Sequence, residues 1–166
     1  MKWILLALLV VVLAAAVVTC IGWLMPVAHQ AAGSAEFSKP PDTVYALVTD
    51  VRSYPRWWKD MTRIEVLVDQ PDRTTFRQYS STGPLVMTIV ERTRPTRIVT
   101  KIDDPDQPFG GTWTWDIAPT PSGGASLTIT ERGEIYNPVF RFAARYVFGY
   151  TRTIESCLAA IKQALG

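Results

Sequence analysis

Histidine is almost missing from this chain: His29 is the only one in 166 residues. No metal set built on several histidines can therefore be assembled. Only two cysteines occur, Cys20 in an apolar run and Cys157 near the other end. They form neither a disulfide framework nor a metal-spaced set, and Cys157 reads as a small core residue. Phosphate loops are lacking too. Gly110-Gly111 and Gly123-Gly124 have neither the P-loop spacing nor its lysine, and Pro121-Ser122-Gly123-Gly124 reads as a hairpin turn. There is little excess charge of either sign, with 17 Lys and Arg against 15 Asp and Glu. Dispersed basic residues in a nearly neutral chain argue against a nucleic-acid partner. Internal repeats and low-complexity segments are absent.

Charge is also missing from one long stretch. Trp3 to Met25, WILLALLVVVLAAAVVTCIGWLM, carries none. At ~1.5 Å per residue this makes roughly 35 Å of helix, enough for a hydrocarbon core of ~30 Å. Trp3 and Trp23 stand near its ends, where indoles favour the membrane interface. A cleaved signal peptide is the competing reading, but its apolar region is normally about 7–15 residues long and ends in a small-x-small site. Val17-Val18-Thr19 before Cys20 makes a poor lipobox. The expectation is an uncleaved anchor over residues 1–25 and one domain over 26–166. Lys2 lies on one side of the run and the next Lys or Arg is Lys39. The positive-inside rule then puts the N-terminus in the cytoplasm and the domain on the outer (periplasmic or extracellular) side.

What is present is organised around Phe37 to Met61, FSKPPDTVYALVTDVRSYPRWWKDM. Pro41 suits the first helical position, where its missing N–H costs nothing. Asp42 favours the positive helix end. Val44, Leu47 and Val48 form one apolar face, and Asp50 is placed to end this helix and cap the next. Pro55 restarts the chain before Trp57, Trp58 and Met61. Adjacent tryptophans cannot face the same way, so one goes to the core and the other to a rim or opening.

Beyond Met61 the apolar period changes to two. Ile64, Val66 and Val68 alternate along one run, and Thr74–Ser81, Leu85–Arg92, Ile98–Ile102, Thr112–Ile117 and Leu127–Tyr136 are the next, separated by turn signals and a longer loop at 103–111. This argues an antiparallel meander. Asn137 and Pro138 then open a helical stripe through Ile154, Cys157, Leu158, Ile161 and Leu165, with a bend or break expected at Gly149. The segment 26–38 reads as a linker by composition.

The pattern of Pro-Pro-acid, Val-aromatic-Ala-Leu-Val-x-Asp and Tyr-Pro-x-Trp-Trp resembles the START-like (SRPBCC) superfamily, in particular its polyketide cyclase/dehydrase-like and lipid-transport-like members. FGGTWTW and ERGEIYNPVFRFAARYVFG are similar as well, so the resemblance covers nearly everything after residue 25. It implies an α+β helix-grip fold, a curved antiparallel sheet around a long C-terminal helix, here preceded by one transmembrane helix. It also implies a first strand at 26–38, and a cavity for an apolar ligand between sheet and helix.

Candidate cavity residues are Trp57, Trp58, Met61, Phe76, Tyr79, Met87, Trp113, Trp115 and Phe140. Most aromatics of a small domain serve its core, and a minority line any cavity, where methionines adapt to varied ligands. Glu91, Asp116, Glu131 and Glu134 are either outer-face residues or, if buried, acid–base candidates. Arg141, Arg145 and Arg152 share a helical face, either solvated or set against anionic headgroups. The resulting expectation is a membrane-anchored monomer that binds or moves a hydrophobic small molecule or lipid, with no cofactor, no metal and no catalytic residue. The alternatives are a cyclase/dehydratase-like enzyme and a non-enzymatic interaction module for a membrane partner.

Overall fold

The computed structural model describes residues 1–166. Helix α1 spans Lys2–Leu24. Strand β1 (Ala28–Phe37), helix α2 (Pro41–Thr49), a 3₁₀ turn at Val51–Ser53 and the one-turn helix α3 (Tyr54–Trp57) follow. Six more strands come next: β2 (Arg63–Asp69), β3 (Thr74–Ser80), β4 (Gly83–Thr93), β5 (Arg97–Ile102), β6 (Phe109–Pro119) and β7 (Ala125–Ile135). The chain closes with α4 (Pro138–Ala143), a π-helical turn at Ala144–Phe148 and α5 (Arg152–Leu165).

The seven strands form one antiparallel sheet in the order β1-β7-β6-β5-β4-β3-β2. The meander supplies β2 to β7 by hairpin succession, and β1 returns to pair with β7. Residues 28–37 are thus a strand despite their small and polar composition. Ladder pairing along ten positions overrides weak intrinsic preference. The smallness is used: Gly33 lies beneath Ile154 and Leu158, where a Cβ would stand 2.9 Å from Ile154 Cγ2.

Alternation sets the inner face. Ala125, Leu127 and Ile129 are buried and their neighbours Ser126 and Thr128 are not. With Phe76, Ile89, Ile98, Trp115 and Ile117 they meet Ile154, Cys157, Leu158 and Ile161 of α5 in one core. Each large apolar side chain buried there is worth about 1.5–3 kcal/mol relative to exposure. Helix α2 adds Val44, Tyr45 and Val48. Asp50 makes no side-chain cap; it ends α2 through its backbone N–H on the Ala46 carbonyl. Asn137 does cap α4, accepting from the N–H groups of Val139 and Phe140 at 2.9 and 3.2 Å.

One expectation is corrected here. The loop at 103–111 is shorter than its composition implied, because β6 already starts at Phe109 and takes Gly110 and Gly111 into the ladder with β7. The C-terminal helix breaks at the expected place: Gly149, at φ 76°, separates the α4–π segment from α5.

Helix α1 carries no charge from Trp3 onward, is long enough to cross a membrane by length and composition, and is exposed over most of its surface. Its last turn is docked. Gly22 is buried against Pro138, so closely that a Cβ would collide with the Pro138 carbonyl. Arg141 is buried, and donates from Nη1 to the carbonyl of Met25 at 2.7 Å and from Nη2 to that of Tyr136 at 3.2 Å. It therefore does not share an outward face with Arg145 and Arg152, which are exposed.

Candidate functional site: a cavity between the sheet and the C-terminal segment

Between the inner sheet face and the segment 140–153 lies a cavity of about 440 Å³, and 16 of its 28 lining residues are hydrophobic. That volume falls within the ~300–1,000 Å³ typical of small-molecule sites. Trp58, Met61, Phe76, Met87, Trp113, Trp115 and Phe140 all line it. Strand parity explains the grouping. Phe76 is opposite Met87 and Gln78 opposite Leu85 in the β3–β4 ladder, and all four turn inward. Trp58 and Met61 come in from the α3 end, both buried. Thr82, Phe140, Phe148 and Gly149 line the cavity and are exposed, so they mark its mouth.

Two expected lining residues stand elsewhere. Tyr79 is three positions from Phe76 on one strand and so faces the other side. Its hydroxyl donates to Glu65 Oε2 at 3.0 Å, and the Arg63 guanidinium lies 4.0 Å above its ring. Trp57 is half-buried outside the cavity, stacked on Trp58 with 5.9 Å between centroids and bonded from Nε1 to Ser53 Oγ at 3.0 Å. Of the two tryptophans, Trp58 takes the core position.

One polar stretch of the wall is built by His29, Glu131 and Trp113. Glu131 continues the inward parity of Leu127 and Ile129, one step past the apolar run. Its two oxygens are shared: Oε1 lies 3.2 Å from His29 Nε2, and Oε2 accepts from Trp113 Nε1 at 3.0 Å. Tyr150 stacks on the His29 imidazole, with 4.2 Å between centroids and 17° between planes. Gly133, opposite His29 in the β1–β7 ladder, leaves room for the ring; a Cβ there would come within 2.6 Å of Nε2. His29 Nδ1 and Trp58 Nε1 are buried without a partner.

The other carboxylates are engaged elsewhere. Glu91 and Asp116 both hold Arg97 on the outer face, with Arg97 Nε 3.0 Å from Glu91 and Nη1 2.6 Å from Asp116. Glu134 is exposed at the cavity edge and accepts from the Tyr136 hydroxyl at 3.0 Å. That bond, foremost, raises the Tyr136 pKa above the ordinary tyrosine value.

An antiparallel sheet closed over a C-terminal helix, with a largely apolar cavity between, defines the START-like helix-grip class. Within that class the chain belongs to the polyketide cyclase/dehydrase and lipid transport family, whose sequence profile matches residues 28–166. No curated protein matches it in sequence. Solved structures share the fold at low identity. A START superfamily protein from Mycobacterium smegmatis is 17% identical with a TM-score of 0.68, covering 82% of this chain and 97% of that one. The protein TTHA0849 from Thermus thermophilus is 19% identical with a TM-score of 0.70, covering 82% and 97%. The Zhui aromatase/cyclase from a Streptomyces species is 12% identical with a TM-score of 0.68, covering 83% and 93%.

Proposed function

We propose that the protein binds or moves a hydrophobic small molecule or lipid in this cavity while α1 anchors it in a membrane. The cavity carries this reading: about 440 Å³ of interior space with 16 hydrophobic residues among the 28 that line it. Moving an apolar ligand there from water gains ~0.8 kcal/mol per buried CH₂. An unfilled interior also weakens the case for a pure interaction module, which needs only a surface. The docking of Gly22 and Arg141 supports retention of α1, since a leader to be discarded has no need of a buried guanidinium on its last carbonyl. The anchored orientation in this reading has the N-terminus in the cytoplasm, from Lys2.

Native mass spectrometry of the full-length chain released from detergent is the test. The expected result is a co-purified apolar adduct at near one-to-one stoichiometry. Consistent absence of any adduct, with the chain folded, contradicts the reading.

A second reading has one observation in its favour. His29 and Glu131 form an acid–base pair in the cavity wall, the kind of group a cyclase/dehydratase-like reaction uses for proton transfer. Conversion, and not mere retention, of a bound ligand by wild type and its loss in Glu131→Gln would favour that enzyme.

A further inference from the structure

The segment that walls the cavity is apolar on its outer side as well. Val139, Phe140, Tyr146, Val147 and Phe148 are 43–66% exposed. Soluble surfaces rarely gather apolar side chains so densely. The same segment holds α1: Pro138 covers Gly22, and Arg141 bonds the Met25 carbonyl. That carbonyl is at the negative end of the α1 dipole, where a cation is favoured.

Helix length then sets the depth. From Trp3 to Trp23 the α1 axis rises ~30 Å at ~1.5 Å per residue, which is the thickness of a bilayer hydrocarbon core. With an indole at each boundary, Gly22 lies at the edge of the core, and Pro138 beside it lies at the interface. The outer face of 139–148 is carried to the same level, with Arg145 exposed beside it to meet headgroups.

We infer that the bilayer itself covers this face: Val139, Phe140, Tyr146, Val147 and Phe148 are seated in the lipid interface by the Arg141–Met25 clamp, so the cavity mouth at Phe140 and Phe148 opens onto lipid. The ligand then passes between bilayer and cavity without a water-exposed step. This rests on the anchored reading above.

The test uses the full-length chain in phosphatidylcholine/phosphatidylglycerol vesicles. An environment-sensitive fluorophore is placed on one cysteine at a time, in a background otherwise free of cysteine: at Cys20, at Phe148→Cys, or at Ser122→Cys in the β6–β7 turn, at the far end of the sheet from α1. Quenching by spin-labelled phosphatidylcholine reports lipid contact. The expected result is strong quenching at 20 and 148 and none at 122, with quenching at 148 falling at least twofold in Arg141→Ala while circular dichroism is unchanged. Quenching at 20 with none at 148 overturns the inference and leaves the anchor standing. So does a label at 148 shielded from aqueous iodide but untouched by lipid quenchers, which marks a protein partner or second copy. No quenching at 20 removes the anchor and the inference together. Native mass spectrometry of the ligand is independent of all three.

Discussion

The His29 ring occupies the space that a side chain on Gly133 would need. The two face each other across the β1–β7 ladder, and a Cβ on Gly133 would lie 2.6 Å from Nε2. Gly133→Ala should therefore displace the ring from Glu131 and Tyr150 and cost roughly 1–3 kcal/mol, the range for overpacking. In a His29→Ala background the same substitution should cost much less. A double-mutant cycle by thermal unfolding measures the coupling, and additive effects would show that the ring is not held there.

Helix α5 closes the inner face through Ile154, which is fully buried. Ile154→Asp puts an unpaired carboxylate into that core and should destabilise the domain by about 4 kcal/mol or more. Lys162→Gln, on the exposed side of the same helix, should change stability by less than about 0.5 kcal/mol. Equal melting temperatures for Ile154→Asp and wild type would contradict the packing of α5.

Alkaline pH should unfold the domain through two buried acids. Burial is the main cause that holds the Tyr54 hydroxyl well above its ordinary 10.0, and it likewise holds the Cys157 thiol above its ordinary 9.0. Both pKa values are raised in the folded state, so the unfolded chain loses these protons first. Stability from this source is complete below pH 9 and falls as pH rises past 9 and then 10. Urea midpoints from pH 7 to 11 should decline in that order, and Cys157→Ala should flatten the first part. A midpoint independent of pH up to 11 would contradict it.

Much of this architecture was legible because period and punctuation agree. Pro41, Asn137 and the alternating runs mark α2, α4 and the meander, and each residue does locally what the sheet requires globally. Strand β1 was not legible from composition. Its alanines and glycine are chosen for the close approach of α5, which local propensity does not express. For the cavity, the signal in the sequence is strand parity. Phe76 and Tyr79 are an odd number of positions apart and must face opposite ways, whereas Glu131 is an even number from Ile129 and must face inward. His29 follows the same rule, two positions from buried Ala31. The Arg141 clamp had no such signal. A helical wheel places it with Arg145, and only the docking of α1, distant in sequence, turns it inward.

The central claim is that the cavity takes an apolar ligand, and a photoreactive fatty-acyl probe on the full-length chain tests it most directly. Adducts should map by peptide mass spectrometry to cavity-lining segments around Met61, Met87 and Trp113. Met87→Arg, which brings a charge into the cavity, should lower them about tenfold or more. Val90→Arg, on the exposed face of the same strand, should leave them unchanged. Adducts confined to α1 and the outer surface of 139–148, or cavity adducts equal in both variants, would contradict the account.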